Sequence, residues 1–369
     1  MGVMLALRLN MTNVADPRAC HAERYRAALD MAAYADELGF TGISCEEHHL
    51  AATGWLPSPL ILAAAVAART QKARISVNAL LVPLYDPLRL AEDIAVLDNV
   101  ACGRFSFVAG IGYRPEEYAA AGKDWSVRGQ LMDHNLEVML KAWGDEPFAY
   151  NGRSVNVTPK PWTRPHPFFF IGGMSAAAAR RAARFGLPFS PPMAMPEVEA
   201  VYADELERRG KTGFIYRPEN GSTITLLSEN PDAAWQSFGP FLLNETAEYC
   251  SWRRPGVRRP NEVPADSVDR LRGLGNVEIL TPRQLIGEIR EGRREVVINP
   301  LMGGLPLEDG WGVLRLLGER VLPELIGTPK GEQALTVPRQ PPMIDLINRP
   351  IGFWDAQMQG CVSGTTAPV

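Results

Sequence analysis

Residues 73–110 read ARISVNALLVPLYDPLRLAEDIAVLDNVACGRFSFVAG, and this stretch decides the fold. A strand-like apolar run, ARISVNALLV, leads into a helical pattern, DPLRLAEDIAVLDNVA, and a second strand-like run, RFSFVAG, follows. Apolar residues three and four apart mark the helix, and short, nearly continuous apolar runs mark strands covered on both faces. The unit is strand, helix, strand, which places the strands parallel in one sheet.

The same unit recurs in both directions. Upstream, VMLALRLN precedes a helix pattern over 22–38 that Gly39 stops, and TGISCE precedes SPLILAAAVAART. Downstream, RFSFVAG leads to a long helix over 128–143, PFFFIGG to SAAAARRAARFG, and LPFS to PEVEAVYADELERRG. STITLLSEN and REVVINPL then precede PDAAWQSFGPFLLNETAEY and GWGVLRLLGERVLPEL. Eight strand-then-helix units in 369 residues predict an α/β fold, a closed (β/α)8 TIM barrel in preference to an open doubly wound sheet. The barrel is expected over 1–326, with insertions near 145–166, a short hairpin and Pro-rich loop, and 251–293, which carries one further short helix, TPRQLIGEIREG. An irregular C-terminal tail or arm is expected over 327–369.

Composition narrows the function. With 46% hydrophobic and 22% charged residues the chain has the apolar surface for a large core. A formal charge of −4 lacks the basic excess that nucleic-acid binding needs. No membrane association is expected, since the start has no basic region before an apolar segment and no apolar run reaches about 18 residues. A cytoplasmic location follows. Cys20, Cys45, Cys102, Cys250 and Cys361 are far apart with no C-x-x-C, which supports neither a disulfide framework nor a cysteine zinc site.

One segment stands out, FTGISCEEHHLAATG, with Glu46, Glu47, His48 and His49 side by side after the second strand. Barrel active sites lie at the C-terminal ends of strands, so the position favours chemistry. Alternation along an extended chain sends Glu46 and His48 to one side and Glu47 and His49 to the other, so the four do not share one ion. The other histidines, His21, His134 and His166, follow no strand, and the ligand supply for a catalytic zinc is thin. A hydrogen-bonded polar turn without chemistry is the plain alternative. A second segment, GGMSAAAARRAARFG, puts Gly172 and Gly173 before Ser175 at the start of an Ala-rich helix, where free N–H groups and the helix dipole suit a phosphate. The plain alternative is a strand-to-helix turn with a Ser cap.

Taken together, EEHHLAATG, LLVPLYDPLRLAEDIAVLDNVACGRFSFVAGIGY, GGMSAAAARRAARFG and LGERVLPEL resemble the bacterial luciferase-like flavin-dependent monooxygenases, over most of 1–326. The resemblance implies a (β/α)8 barrel holding reduced FMN at its mouth, or in a sister group the deazaflavin F420. With FMN, dioxygen adds to the reduced ring to give a peroxyflavin that oxygenates a small organic substrate. It implies His48 near the reactive edge of the ring as acid/base residue, with Glu47 the second catalytic candidate; Glu47 and His49 could instead orient it or brace the loop. It further implies Asn78 and Ala79 against the ring, with a non-proline cis peptide there, and Gly110 in the strand-end loop beside it. Gly173, Met174 and Ser175 become phosphate ligands.

Ile111 departs from the family pattern, which often has an Arg there for the flavin phosphate; Arg114, Arg180 and Arg181 are candidate substitutes. GIGYRPEEY lacks the third glycine of a dinucleotide fingerprint, so reduced flavin is expected from a separate flavin reductase. Trp55, Phe170, Met193, Met195 and Trp311 are candidate lining for an apolar substrate pocket. The small and apolar faces of SPLILAAAVAAR and DPLRLAEDIAVL suit a homodimer. Hydride transfer with F420 and a non-catalytic flavin-binding protein are the alternatives to oxygenation.

Overall fold

The computed structural model describes residues 3–14, 20–218, 223–252 and 265–326. The tail expected over 327–369 lies outside them, as does much of the segment between 251 and 264. The strands are β1 (Met4–Leu9), β2 (Gly42–Cys45), β3 (Arg74–Leu81), β4 (Phe105–Gly110), β5 (Phe148–Tyr150), β6 (Arg153–Val155), β7 (Phe168–Gly172), β8 (Phe189–Ser190), β9 (Ile224–Leu227), β10 (Val277–Leu280) and β11 (Glu295–Ile298). Nine of these form one parallel sheet in the order β10-β9-β11-β1-β2-β3-β4-β7-β8. The last strand pairs beside the first, as winding around a barrel requires. No pairing joins β8 to β9 or β10 among the described residues.

One segment differs from the expectation. The segment read as an insertion with a single helix contains helices at Val268–Leu274 and Pro282–Glu291 and, between them, β10, a ninth parallel strand. Its four residues, Val277 to Leu280, are interrupted by Glu278, so they lack the uncharged, mostly apolar run that marks a strand of equal length such as β9. The hairpin near 145–166 is present as antiparallel β5 and β6, apart from the main sheet.

Helices start where the chain supplies caps. Asp86 accepts from the Arg89 amide ahead of Pro87, and Ser175 accepts from that of Ala178. Thr281 and Gln284 form a reciprocal capping box. Alternation along the strands then sorts residues into two faces. Leu7, Ile43, Ile75, Val77, Phe107 and Ile171 are fully buried against the helices. Fully burying each such side chain contributes about 1.5–3 kcal/mol. Phe107 and Phe169 stack there with centroids 4.6 Å apart. On the opposite face Arg8, Ser44, Ser76, Ser106 and Phe168 run in register across five strands, a mostly polar row beneath the rim.

Candidate active site

The ends of β2, β3, β4 and β7 and the loops after them carry Glu47, His48, Asn78, Ala79, Gly110, Gly173, Met174 and Ser175, and these strands are consecutive neighbours. Asn78 is exposed, and its amide nitrogen lies 3.1 Å from Ser76 Oγ. The Asn78–Ala79 peptide is cis, as the resemblance implies, and the register between β3 and β4 shifts at this point. A Cβ on Gly110 would lie 2.7 Å from the Cβ of Ala79, so only glycine lets the two strand ends approach in this way. Gly173 has φ +152°, and a Cβ there would meet that of Ala178 at 2.6 Å. Met174 is half-buried and Ser175 caps the helix Ala176–Phe185.

The structure keeps Glu47 and His49 apart from His48. Glu47 is 2% exposed; it accepts from the Leu81 amide at 2.6 Å and the Tyr85 hydroxyl at 2.5 Å, and lies 3.0 Å from His49 Nε2. It ties β2 to the loop after β3. The hydrogen bond to Glu47 raises the His49 pKa against the opposing effect of burial. Glu46 faces Arg8, 2.5 Å away as an ion pair.

His48 has its own carboxylate. Nδ1 lies 3.3 Å from Oε1 of Glu117, and Nε2 lies 3.2 Å from the Tyr113 hydroxyl. The same Oε1 accepts from the His49 amide at 3.0 Å and from Arg114 at 3.1 Å. Burial pushes the Glu117 carboxyl up, but the hydrogen bonds from His48 and His49 and the Arg114 charge outweigh it, so the group titrates below its ordinary range. Arg114 also donates to the His49 carbonyl at 2.5 Å and lies 4.0 Å over the Trp252 ring.

Aromatic rings close around the imidazole. Trp55 meets it edge-on at 5.0 Å, Trp252 at 4.8 Å, and Tyr249 at 6.2 Å. Tyr249 and Trp252 arrive from the end of helix Pro231–Ser251, which two carboxylates hold to the rim. Glu245 accepts from Asn10, Thr12 and the Gly303 amide, and Glu248 from the Ala52 and Thr53 amides and the Thr53 hydroxyl. Burial raises the Glu245 pKa against the pull of Arg8.

The sequence reading missed Tyr113, Glu117, Tyr249 and Trp252. The R-x-x-E spacing in GIGYRPEEY was a signal, since residues three apart on a helical turn meet; Tyr249 and Trp252 had none, being 201 and 204 positions from His48 in sequence. Among the pocket candidates, Trp55 belongs to this cluster. Phe170 packs on Phe168 at 5.0 Å, Met195 is buried and Met193 exposed. Trp311 packs on Tyr34 at 5.8 Å between outer helices, away from the rim. Arg181 is engaged by Asp133 at 2.5 Å and Arg114 by Glu117, so neither is a free substitute for the arginine absent at Ile111; Arg180 is exposed.

A parallel α/β sheet with a carboxylate-held histidine and a glycine–serine helix start on one rim defines an α/β enzyme class with its site at the strand ends. The chain belongs to the luciferase-like monooxygenase family, whose model matches residues 1–296. It is similar to the alkanal monooxygenase alpha chain of the Kryptophanaron alfredi symbiont, 25% identical over 47% of this chain and 50% of that one. Limonene 1,2-monooxygenase of Rhodococcus erythropolis is 22% identical over 71% and 70%. The chain spans about half the length of several curated relatives that it matches. In fold it is similar to the FMN-bound oxygenating constituent of 3,6-diketocamphane monooxygenase from Pseudomonas putida, with TM-score 0.64 and 18% identity over 88% of this chain and 99% of that one.

Proposed function

We propose that this chain is an FMN-dependent monooxygenase that uses reduced FMN and dioxygen to oxygenate a small, partly apolar organic molecule. One observation carries the reading: an enclosed histidine with a carboxylate partner shares a rim with a glycine–serine helix start three strands away. The residues fit the cofactor, because the helix that starts after Ser175 offers N–H donors and its dipole to a phosphate. Gly173, Met174 and Ser175 would hold the phosphate, and Asn78, Ala79 and Gly110 would line the ring. When bound, reduced flavin supplies the electrons that activate dioxygen. His48 moves protons, and Trp55, Tyr249 and Trp252 keep water from it. A separate reductase supplies the flavin, in keeping with the diketocamphane relative's description as an oxygenating constituent.

The test is oxygen uptake with chemically reduced FMN across ketones, aldehydes and alkenes, with His48→Ala as control. Substrate-dependent uptake in the wild type, lost in a folded His48→Ala variant, supports the reading. Ile111 in place of an arginine keeps F420 as the rival cofactor. Saturable binding of F420 with none of FMN would overturn FMN use.

A homodimer is also proposed, working in the cytoplasm. Ile61 on helix Pro59–Arg69 and Val96 and Val100 on helix Pro87–Val100 are 74%, 49% and 44% exposed, and the two helices pack together. Burying that apolar face favours a second copy. Among the described residues no helix is long and apolar enough to cross a membrane. Sedimentation at the monomer mass would rule the dimer out.

A further inference from the structure

We propose that Glu117, His48 and Tyr113 form a proton relay in which Glu117 positions the imidazole and the Tyr113 hydroxyl is the group that meets the bound molecule. The proposal rests on the monooxygenase reading only for the identity of that molecule. Both nitrogens of His48 are engaged, Nδ1 by Glu117 and Nε2 by Tyr113. The side chain is only 11% exposed, with Trp55, Trp252 and Tyr249 around the ring. An imidazole so enclosed reaches a reactant through a neighbour, and Tyr113 is the neighbour whose hydroxyl lies within hydrogen-bond distance of Nε2.

The partners also set the direction. Glu117 is buried and is held as a carboxylate by the His49 amide and Arg114, so it accepts and Nδ1 carries the proton. The Nε2 lone pair is then free to accept from Tyr113. When the bound molecule gives up an O–H proton, the Tyr113 oxygen takes it as its own proton passes to Nε2. The molecule is left as an oxyanion and His48 as an imidazolium beside the Glu117 carboxylate. The reverse transfer returns one proton through Tyr113 to a departing oxygen, which restores the starting state. No electrons move and no other reactant is needed.

The test reads the His48 ring 15N resonances in flavin-free protein, alongside turnover with reduced FMN. The relay expects an Nδ1–H tautomer in the wild type and in Tyr113→Phe. Glu117→Gln shifts the population toward Nε2–H, and Glu117→Asp restores it. Tyr113→Phe lowers kcat about 100-fold, the lower range for a lost acid–base group, with FMN affinity unchanged. An Nε2–H tautomer in the wild type, or wild-type turnover by Tyr113→Phe, would overturn the relay. A wild type that takes up no oxygen would sink the monooxygenase reading alone, since the tautomer still decides the relay.

Discussion

Gly110, at the end of β4, faces Ala79 so closely that a single added carbon would lie 2.7 Å from the alanine Cβ. Gly110→Ala therefore forces the end of β3 or β4 to move. Overpacking of this kind costs about 1–3 kcal/mol. The variant should melt lower than wild type and bind FMN more weakly, because the displaced segment carries Asn78. A variant with unchanged Tm and unchanged FMN affinity would show that the two strand ends are slack.

Glu47 is expected to act on stability. Its loss in Glu47→Ala leaves the Leu81 amide and the Tyr85 hydroxyl without their buried acceptor. Each unsatisfied buried group costs about 1–3 kcal/mol, so the urea midpoint should fall clearly, while His48→Ala removes turnover with a smaller loss. Equal midpoints for wild type and Glu47→Ala, with turnover abolished, would return Glu47 to a chemical role.

The two carboxylate–histidine pairs give opposite pH dependences. Glu117 titrates below its ordinary 4.5 in the fold, so its stabilisation is complete above 4.5 and is lost as pH falls through the lower folded value. His49 titrates above its ordinary 6.5, so its contribution is complete below 6.5 and is lost as pH rises through the higher folded value. Denaturant midpoints should therefore fall on the acid side less steeply in Glu117→Gln than in wild type. On the neutral-to-basic side they should be flatter in His49→Gln. Parallel curves for wild type and Glu117→Gln would remove the carboxylate from the acid transition.

Under the proposed FMN reading, Ile111 stands where an arginine would add a charge-assisted contact to the phosphate. Hydrogen bonds to charged groups contribute about 1.5–3 kcal/mol, so Ile111→Arg should tighten FMN binding at least tenfold. Binding should also become more salt-sensitive, as read by fluorescence quenching of FMN at two ionic strengths. Unchanged affinity would mean that the phosphate lies elsewhere than at Ser175.

Much of the fold was legible from local pattern. Strand-then-helix alternation, caps such as Asp86 and Ser175, and the stop at Gly39 each depend on a few neighbouring residues, so the chain announces them directly. The same holds for the separation of His48 from Glu47 and His49, which follows from the two-residue period of extended backbone. Strand β10 escaped because Glu278 interrupts its short apolar run.

The partners of His48 were decided by tertiary structure. Glu117 lies 69 positions from His48 in sequence and Tyr113 65, each brought in because β2 and β4 flank β3 in the sheet. Tyr249 and Trp252 come from a helix that Glu245 and Glu248 anchor to the top of β1 and the loop after β2. Residue type and local period are written along the chain, and they determined the layers and the separation of His48 from its two neighbours. Which carboxylate holds that histidine, and which rings pack around it, depends on strand order and helix docking, and those exist only once the distant segments have packed together.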